Sequence, residues 1–190
     1  MELILDPVVV WTARLVLAAV LLGAALAKLR ALEEFAGVVH NYRLLPELLA
    51  RPLAYALPVL ELALALGLLL DATRRPAAVA TAVLLAVFAC AMAINLWRGR
   101  VHIDCGCFAS ALKQRLSWAL VARNGVLIAL ALPVVAQASA VRTLGPLDLL
   151  TVAVASGGLL LLYAAFSQLA GLETPDHRLR AAPAPAGGQR

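Results

Sequence analysis

Five long apolar runs constrain the fold of this chain more than any other feature of its 190 residues. About 20 apolar residues in a helix are enough to cross the roughly 30 Å of hydrocarbon in a bilayer. The sequence therefore predicts an all-α, polytopic membrane bundle within residues 1–170. The predicted spans are about 8–29, 52–70, 77–97, 117–137 and 147–169.

The overall composition agrees with a membrane bundle and excludes several other classes of protein. Hydrophobic residues make up 63% of the chain, charged residues only 14%, and the mean hydropathy is +0.91, which leaves no room for a separate soluble domain. The net charge of +5 favours contact with anionic membrane lipid. No basic face with interspersed aromatic residues is present, so we expect no nucleic-acid partner. Residues 171–190 are rich in Pro, Ala and Gly, which predicts a disordered tail.

The connection between the first two spans has a helical pattern of its own. Within residues 30–51, a helical spacing links Leu32, Phe35, Ala36, Val39 and then Tyr42 or Arg43. This pattern predicts an amphipathic helix that lies in the membrane interface. Such a helix can either seal one end of the bundle or contribute to a site there.

The basic residues are distributed unevenly between the two sides that five spans define. The side with the 30–51 connection, the loop after residue 97 and the C-terminal tail carries eleven lysines and arginines, Lys28 among them, against three on the other side. The positive-inside rule then places the larger group in the cytoplasm.

Two cysteines separated by one glycine lie in the basic loop between the third and fourth runs, at Cys105-Gly106-Cys107. The thiolate is the reactive form of cysteine; Arg100 favours it electrostatically and Asp104 opposes it. A disulfide across one residue closes a small, strained ring that is easy to reduce, and a central glycine permits the backbone to adopt it. The motif therefore favours a redox pair that exchanges disulfides with a partner.

Two other interpretations of this motif remain open. A Cys-x-Cys pair can hold a soft metal ion if further ligands are present, and His102 is the nearby candidate. The two cysteines can also be incidental small residues of a loop. The third cysteine, Cys90, falls inside the third span among small and apolar neighbours, which predicts a packed side chain.

Polar residues inside the predicted spans form a second group of candidates. Arg14 and Glu61 lie at similar depth from the same membrane face, so we expect them to pair, because an unpaired charge in hydrocarbon is costly. The pair can order the bundle or form a polar pocket for a substrate or proton. Asn95, Arg123 and Asn124 are predicted to cluster near the cysteine loop, where they can orient the loop or line a substrate or quinone pocket. Arg123 can equally extend to the lipid headgroups.

The residues around the cysteines resemble a known family. The run Asn95-Leu96-Trp97-Arg98-Gly99-Arg100 followed by Asp104-Cys105-Gly106-Cys107-Phe108 resembles the signature of the MauE family, which is related to DoxX-type membrane proteins. Residues 41–46, 27–29, 117–118 and 123–124 fit as well, and the resemblance covers roughly residues 8–140.

The resemblance implies an inner-membrane bundle, with a DoxX-like four-helix core and one additional span, that is linked to methylamine dehydrogenase maturation. It also implies that Cys105 and Cys107 exchange disulfides with a thioredoxin-like (MauD-like) partner on behalf of an exported, disulfide-containing client. That client favours a periplasmic cysteine loop, whereas the charge distribution favours a cytoplasmic one. The alternative function is a membrane scaffold or small-solute transporter centred on Arg14 and Glu61.

Overall fold

The computed structural model describes residues 6–100, 103, 105, 115–137 and 144–172, without the side chains of Glu47 and of residues 170–172. Its described residues form six helices, and five of them are long and apolar enough to cross a membrane. The predicted all-α, five-span architecture is confirmed. The helices are α1 (Pro7–Arg30), α2 (Leu32–Asn41), α3 (Glu47–Leu69), α4 (Arg74–Trp97), α5 (Trp118–Ala136) and α6 (Pro146–Leu172).

Helix α1 is the centre of the bundle. It packs against α3, α5 and α6, and α4 packs along α5 and against α3. The core between these helices contains Leu17, Leu68, Leu85 and Leu127. Helix α6 is the least buried span, so the molecule has a four-helix core of α1, α3, α4 and α5 with one peripheral span. This arrangement has the predicted form of four helices plus one; the kinship with DoxX-type proteins stays a prediction.

Local sequence signals explain where α1 begins. The Asp6 carboxylate accepts a hydrogen bond of 2.8 Å from the backbone N–H of Val8, and Pro7 takes the first helical position. An acidic N-cap followed by proline is a common helix start, because the carboxylate satisfies a free N–H and proline has none to satisfy.

Helix α3 begins earlier than predicted, at Glu47 and not at residue 52. The predicted span starts at Pro52, but both Pro52 and Pro58 lie inside the helix. The extended residue Pro46 precedes it, and its carbonyl accepts a hydrogen bond of 2.9 Å from the N–H of Leu49. Prolines are tolerated inside membrane helices because neighbouring helices stabilise the interrupted turn.

The predicted amphipathic helix in the 30–51 connection is confirmed as α2. Phe35 and Ala36 are buried against the bundle, and the helix packs mainly on α3. On its exposed face, the Glu33 carboxylate accepts hydrogen bonds from Tyr55 and from Arg51, the latter at 3.3 Å. The Tyr55 hydrogen bond, and next to it Arg51, hold the pKa of Glu33 below its ordinary value. These contacts place α2 over the end of α3, beside the loop that carries Cys105.

Candidate functional site

Cys105 is held at the end of the bundle by backbone contacts of the α4–α5 loop. The loop leaves α4 through Gly99, whose φ of +72° lies in the left-handed region that favours glycine. Its two sides meet where the N–H of Leu116 donates to the carbonyl of Ile103 at 3.1 Å. From α2's end, the Tyr42 hydroxyl donates to the Cys105 carbonyl at 3.1 Å. Cys105 is therefore positioned by α2 as well as by its own loop.

The Cys105 side chain is buried, with 8% of the residue exposed. It packs with Met92 of α4 and with Leu116 and Leu120 at the start of α5. The loop at this residue thus turns into the bundle and does not stand out in water. A protein partner cannot reach this sulfur without local movement.

A cavity of about 350 Å³ adjoins Cys105. Its lining is almost entirely apolar and comes from α1, α2, α3, α4 and the cysteine loop. Leu53 and Val87 are exposed lining residues, so the cavity reaches the lipid-facing surface of the bundle. The lining includes Lys28, Phe35, Val39, Tyr42, Leu57, Phe88, Met92 and Cys105.

Lys28 supplies a buried charge in the wall of this cavity. Its ammonium forms an ion pair with Glu61, and the two side chains are 2% and 1% exposed. The Lys28 nitrogen also lies 5.3 Å from the ring centres of both Phe35 and Phe88, a cation–π arrangement. Glu61 is thus paired from α1, but with Lys28 and not with Arg14.

Arg14 has a different role from the one predicted for it. The guanidinium is fully buried and donates to the carbonyls of Leu68 at 2.7 Å and Leu69 at 2.8 Å. It also forms an ion pair of 2.7 Å with Asp71 and lies 3.8 Å from the ring centre of Trp11. The prediction of an Arg14–Glu61 pair is wrong, because the arginine reaches the last carbonyls of α3, which have no partner within their own helix.

Comparison with known protein families shows to which family this chain belongs. The family model described as "Methylamine utilisation protein MauE" matches residues 6–137, a stretch that runs from the start of α1 to the end of α5. The chain belongs to the MauE family. It is a multi-pass membrane protein of a family that is named for methylamine utilisation.

Individual MauE proteins are similar along most of the chain. The methylamine utilization protein MauE of Paracoccus denitrificans is 49% identical over 175 residues, which is 90% of this chain and 92% of that protein. That of Paracoccus versutus is 50% identical over 171 residues, with the same coverage of 90% and 92%. That of Methylorubrum extorquens is 45% identical over 174 residues, 92% of this chain and 94% of that protein. No solved structure matches the chain.

The three polar residues predicted to line a pocket are buried in this MauE protein but do not line the cavity. Arg123 donates to the Ser167 hydroxyl of α6 at 3.2 Å, with its guanidinium 5.3 Å from the Tyr163 ring. Asn95 donates to the carbonyl of Ala91 on its own helix at 3.0 Å, and Asn124 is 2% exposed. Arg123 therefore joins α5 to α6, and the cavity lies elsewhere, between α2 and α4.

Several other predicted site residues can be placed only in part. Arg100 is half-buried where the loop leaves α4, and its N–H donates to the Asn95 carbonyl at 2.9 Å. Asp104, Cys107 and the candidate metal ligand His102 lie outside the described residues, as does the predicted tail from residue 173 onward. Within the described ranges, no three His, Cys, Asp or Glu residues group as a metal site requires. The redox role of the cysteines stays a prediction.

Cys90 is exposed on α4, so the prediction of a packed side chain is wrong. The small, apolar neighbours that suggested packing in the core are equally typical of a face that contacts lipid. Cys90 does not line the cavity. It is a useful reference thiol, because it lies on the same helix as part of the site and takes no part in it.

Two contacts of the candidate site were not predicted from the sequence, the Lys28–Glu61 ion pair and the hydrogen bond of Tyr42. Lys28 lies near the end of α1 and was counted among the basic residues of the adjoining loop. Side chains on a helix lean toward its N-terminus, so a lysine near a C-terminal end reaches back along the helix into the bundle. This side-chain direction, together with the acidic Glu61 on the antiparallel helix α3, could have predicted the ion pair. Tyr42 continues the helical pattern and lies in the stretch 41–46 that resembles the family, but neither signal indicated its hydrogen bond to Cys105.

Proposed function

We propose that this MauE protein serves methylamine utilisation by exchanging disulfides through Cys105 and Cys107. The carrying observation is the position of Cys105, which is buried at the end of the bundle and held through its carbonyl by Tyr42. Cys107 follows two residues later in the sequence. A disulfide across one intervening residue closes a small, strained ring that is easily reduced, which suits exchange with a partner better than it suits a structural crosslink.

The proposed partner is a thioredoxin-like protein of the MauD type, and the proposed client is methylamine dehydrogenase or another exported protein with disulfides. In the exchange, a partner thiolate attacks one sulfur of the Cys105–Cys107 disulfide and forms a mixed disulfide. The released thiolate then stays in the loop, and the second partner thiol attacks the mixed disulfide. The partner leaves oxidised by two electrons, and the Cys105–Cys107 pair is left reduced.

The two cysteines have different roles in this proposal. Because Cys105 is buried, we assign to Cys107 the mixed disulfide with the partner and to Cys105 the internal bond. The bacterial inner membrane is the proposed location.

Thiol trapping on membranes tests this function. Membranes with the wild type, Cys105→Ser, Cys107→Ser and Cys90→Ser are treated with a thiol reagent that adds mass, with and without prior reduction. We expect a reversible disulfide within the chain in the wild type and in Cys90→Ser, and no such internal disulfide in the other two variants. In Cys105→Ser, we expect Cys107 to accumulate a mixed disulfide with the thioredoxin-like partner.

The Cys90→Ser variant is the matched control, because it removes a thiol outside the site. If Cys105 and Cys107 stay fully reduced even with a mild oxidant, disulfide exchange is wrong. If the mixed disulfide accumulates in Cys107→Ser instead, the assignment of roles to the two cysteines is reversed.

A further inference from the structure

The cavity beside Cys105 combines three features that the exchange with a protein partner does not use. It is large enough for a small-molecule ligand, since such sites begin at about 300 Å³. It reaches the lipid-facing surface at Leu53 and Val87. It also carries a buried ammonium at Lys28, which lies 5.3 Å from the centres of two aromatic rings.

The buried charge in the cavity wall limits which classes of molecule can bind in the cavity. An acyl chain has no polar group that could bind the Lys28 ammonium. A water-soluble substrate is not suited to an apolar cavity that opens toward lipid. An ammonium has three N–H donors, and the Glu61 bond takes one of them. A planar, lipid-soluble molecule with a carbonyl oxygen can accept from Lys28 while its ring packs near Phe35 and Phe88.

Cys105 in the same wall adds a redox requirement. If the dithiol oxidises a partner, it must itself be reoxidised by an acceptor of two electrons. A cavity that opens to lipid admits such an acceptor from the membrane. A quinone meets all of these requirements, because it is planar and lipid-soluble, has carbonyl oxygens and accepts two electrons.

We propose that the cavity between α2 and α4 binds the head group of a membrane quinone, which reoxidises the Cys105–Cys107 dithiol. This inference rests on the proposed function, and it names the acceptor of that site's electrons. Lys28 hydrogen-bonds one quinone carbonyl and positions the ring, and Glu61 holds the ammonium in place.

The redox step balances without a further reagent. The two thiols lose two electrons and two protons as the S–S bond forms between Cys105 and Cys107. The quinone takes up both electrons and both protons and leaves as the hydroquinone. Lys28 and Glu61 keep their charges throughout.

The test uses the full chain, with its dithiol reduced, in lipid nanodiscs without oxygen. Decylubiquinone is the probe, and the loss of its ultraviolet absorption reports reduction to the hydroquinone. Binding is followed separately with a photoreactive benzoquinone, whose labelled peptides are identified by mass spectrometry. We expect rapid reduction and labelling of peptides from α2 and α4.

Two valines of α4 provide a matched pair of variants. Val87 and Val83 are 57% and 58% exposed, but only Val87 lines the cavity. Val87→Trp places an indole at the mouth and should slow quinone reduction roughly tenfold or more, whereas Val83→Trp should react like the wild type. Equal rates in these two variants would overturn the proposal.

The ion pair is tested by removing both of its members. The double variant Lys28→Met, Glu61→Leu leaves no buried charge behind, so the bundle should still fold. We expect its quinone affinity to fall roughly tenfold, as for one lost hydrogen bond from a charged donor. Unchanged affinity would rule out the contact with Lys28.

Further outcomes separate this inference from the proposed function. The Cys105→Ser, Cys107→Ser double variant should keep the labelling and lose the reduction. If the wild type exchanges disulfides with its partner but never reduces quinone, the exchange stands and the quinone site is wrong. If a phospholipid is bound and decylubiquinone does not displace it, the cavity is a lipid site and the proposal also fails.

Discussion

Lys28 and Glu61 form an ion pair inside the bundle, where the desolvation of both charges must be offset by their contact. Each is at most 2% exposed, and Lys28 also faces the rings of Phe35 and Phe88. A buried pair of this kind adds little net stability over apolar residues of the same size, but removing one partner leaves an isolated charge in a medium of low dielectric constant. Removing one partner is therefore expected to destabilise the fold by more than the intact pair stabilises it. Such a pair is consistent with a functional use.

The first prediction concerns the difference in stability between removing one charge of the pair and removing both. Lys28→Met should lower the free energy of unfolding by about 3–5 kcal/mol, because it leaves the Glu61 carboxylate buried without its cation. Adding Glu61→Leu should restore most of the loss. Reversible unfolding in mixed detergent micelles measures both. If Lys28→Met alone is as stable as the double variant, the two residues are not energetically coupled.

A second residue-scale prediction concerns the exposed contact between α2 and α3. The Tyr55 hydroxyl and Arg51 lower the pKa of Glu33, so these contacts stabilise the fold at pH values above the ordinary glutamate range. The stabilisation is lost as the pH falls through the lowered pKa, because protonation removes the charge that both donors contact. Tyr55→Phe should raise the pKa of Glu33 toward its ordinary value, as NMR of carboxyl-labelled glutamate in nanodiscs can measure. An unchanged pKa of Glu33 in Tyr55→Phe would contradict the assignment, because the Tyr55 hydrogen bond is the largest single cause of the lowered pKa.

At the scale of single elements, α3 is the helix that depends most on its neighbours. It contains two prolines, and its C-terminal carbonyls accept from an arginine of α1. Helix ends leave carbonyls without intrahelical partners, and a buried end needs donors from elsewhere. The planar guanidinium of Arg14 serves two carbonyls and the Asp71 carboxylate together, so α1 and α3 are joined near the membrane face opposite the cysteine loop.

The third prediction follows from this C-terminal contact. Arg14→Ala should cost at least about 2 kcal/mol of stability, since it removes charged hydrogen bonds to buried carbonyls. Arg14→Lys should recover only part of this, because an ammonium lacks the planar fork that reaches several acceptors. Asp71→Asn is the control, because Asp71 is mostly exposed and should cost little. Thermal unfolding in detergent compares the three, and a lysine variant equal to the wild type would contradict the role of the fork.

At the scale of the whole molecule, five spans place residue 6 and residue 172 on opposite faces of the membrane. The basic residues lie mainly on the side of α2 and of the cysteine loop. The burial of Lys28 removes one residue from that count but leaves the bias strong. The burial of Cys105 also shows that this residue of the loop is not displayed to the aqueous phase on that side.

The fourth prediction is the orientation of the bundle. A green fluorescent protein fused after residue 172 should fluoresce, as it does when it folds in the cytoplasm, and alkaline phosphatase fused there should be inactive. Fusions before residue 6 should show the opposite pattern. The same reporter behaviour at both ends would contradict five spans, and a full reversal would place the cysteine loop in the periplasm.

The sequence was sufficient for the spans and for the amphipathic helix, because hydrophobicity and helical period are properties of contiguous residues. It was also sufficient for the family, since the Cys-Gly-Cys run and its flanking residues are local. It failed where neighbours in space are far apart in the chain. The Arg14–Glu61 pair, the packed Cys90 and the pocket at Asn95, Arg123 and Asn124 were each inferred from depth or proximity along the chain alone.

What the sequence determined by itself is therefore the class of the molecule: a five-span helical bundle with a dithiol loop at one end. Only the tertiary structure decided which charges pair and where a cavity lies. Those outcomes depend on the rotation of each helix about its axis, on the antiparallel register of α1 and α3, and on the seating of α2 over the end of α3. Residues at equal depth meet only if their helices turn the right faces to each other, and this is settled by packing of the whole bundle.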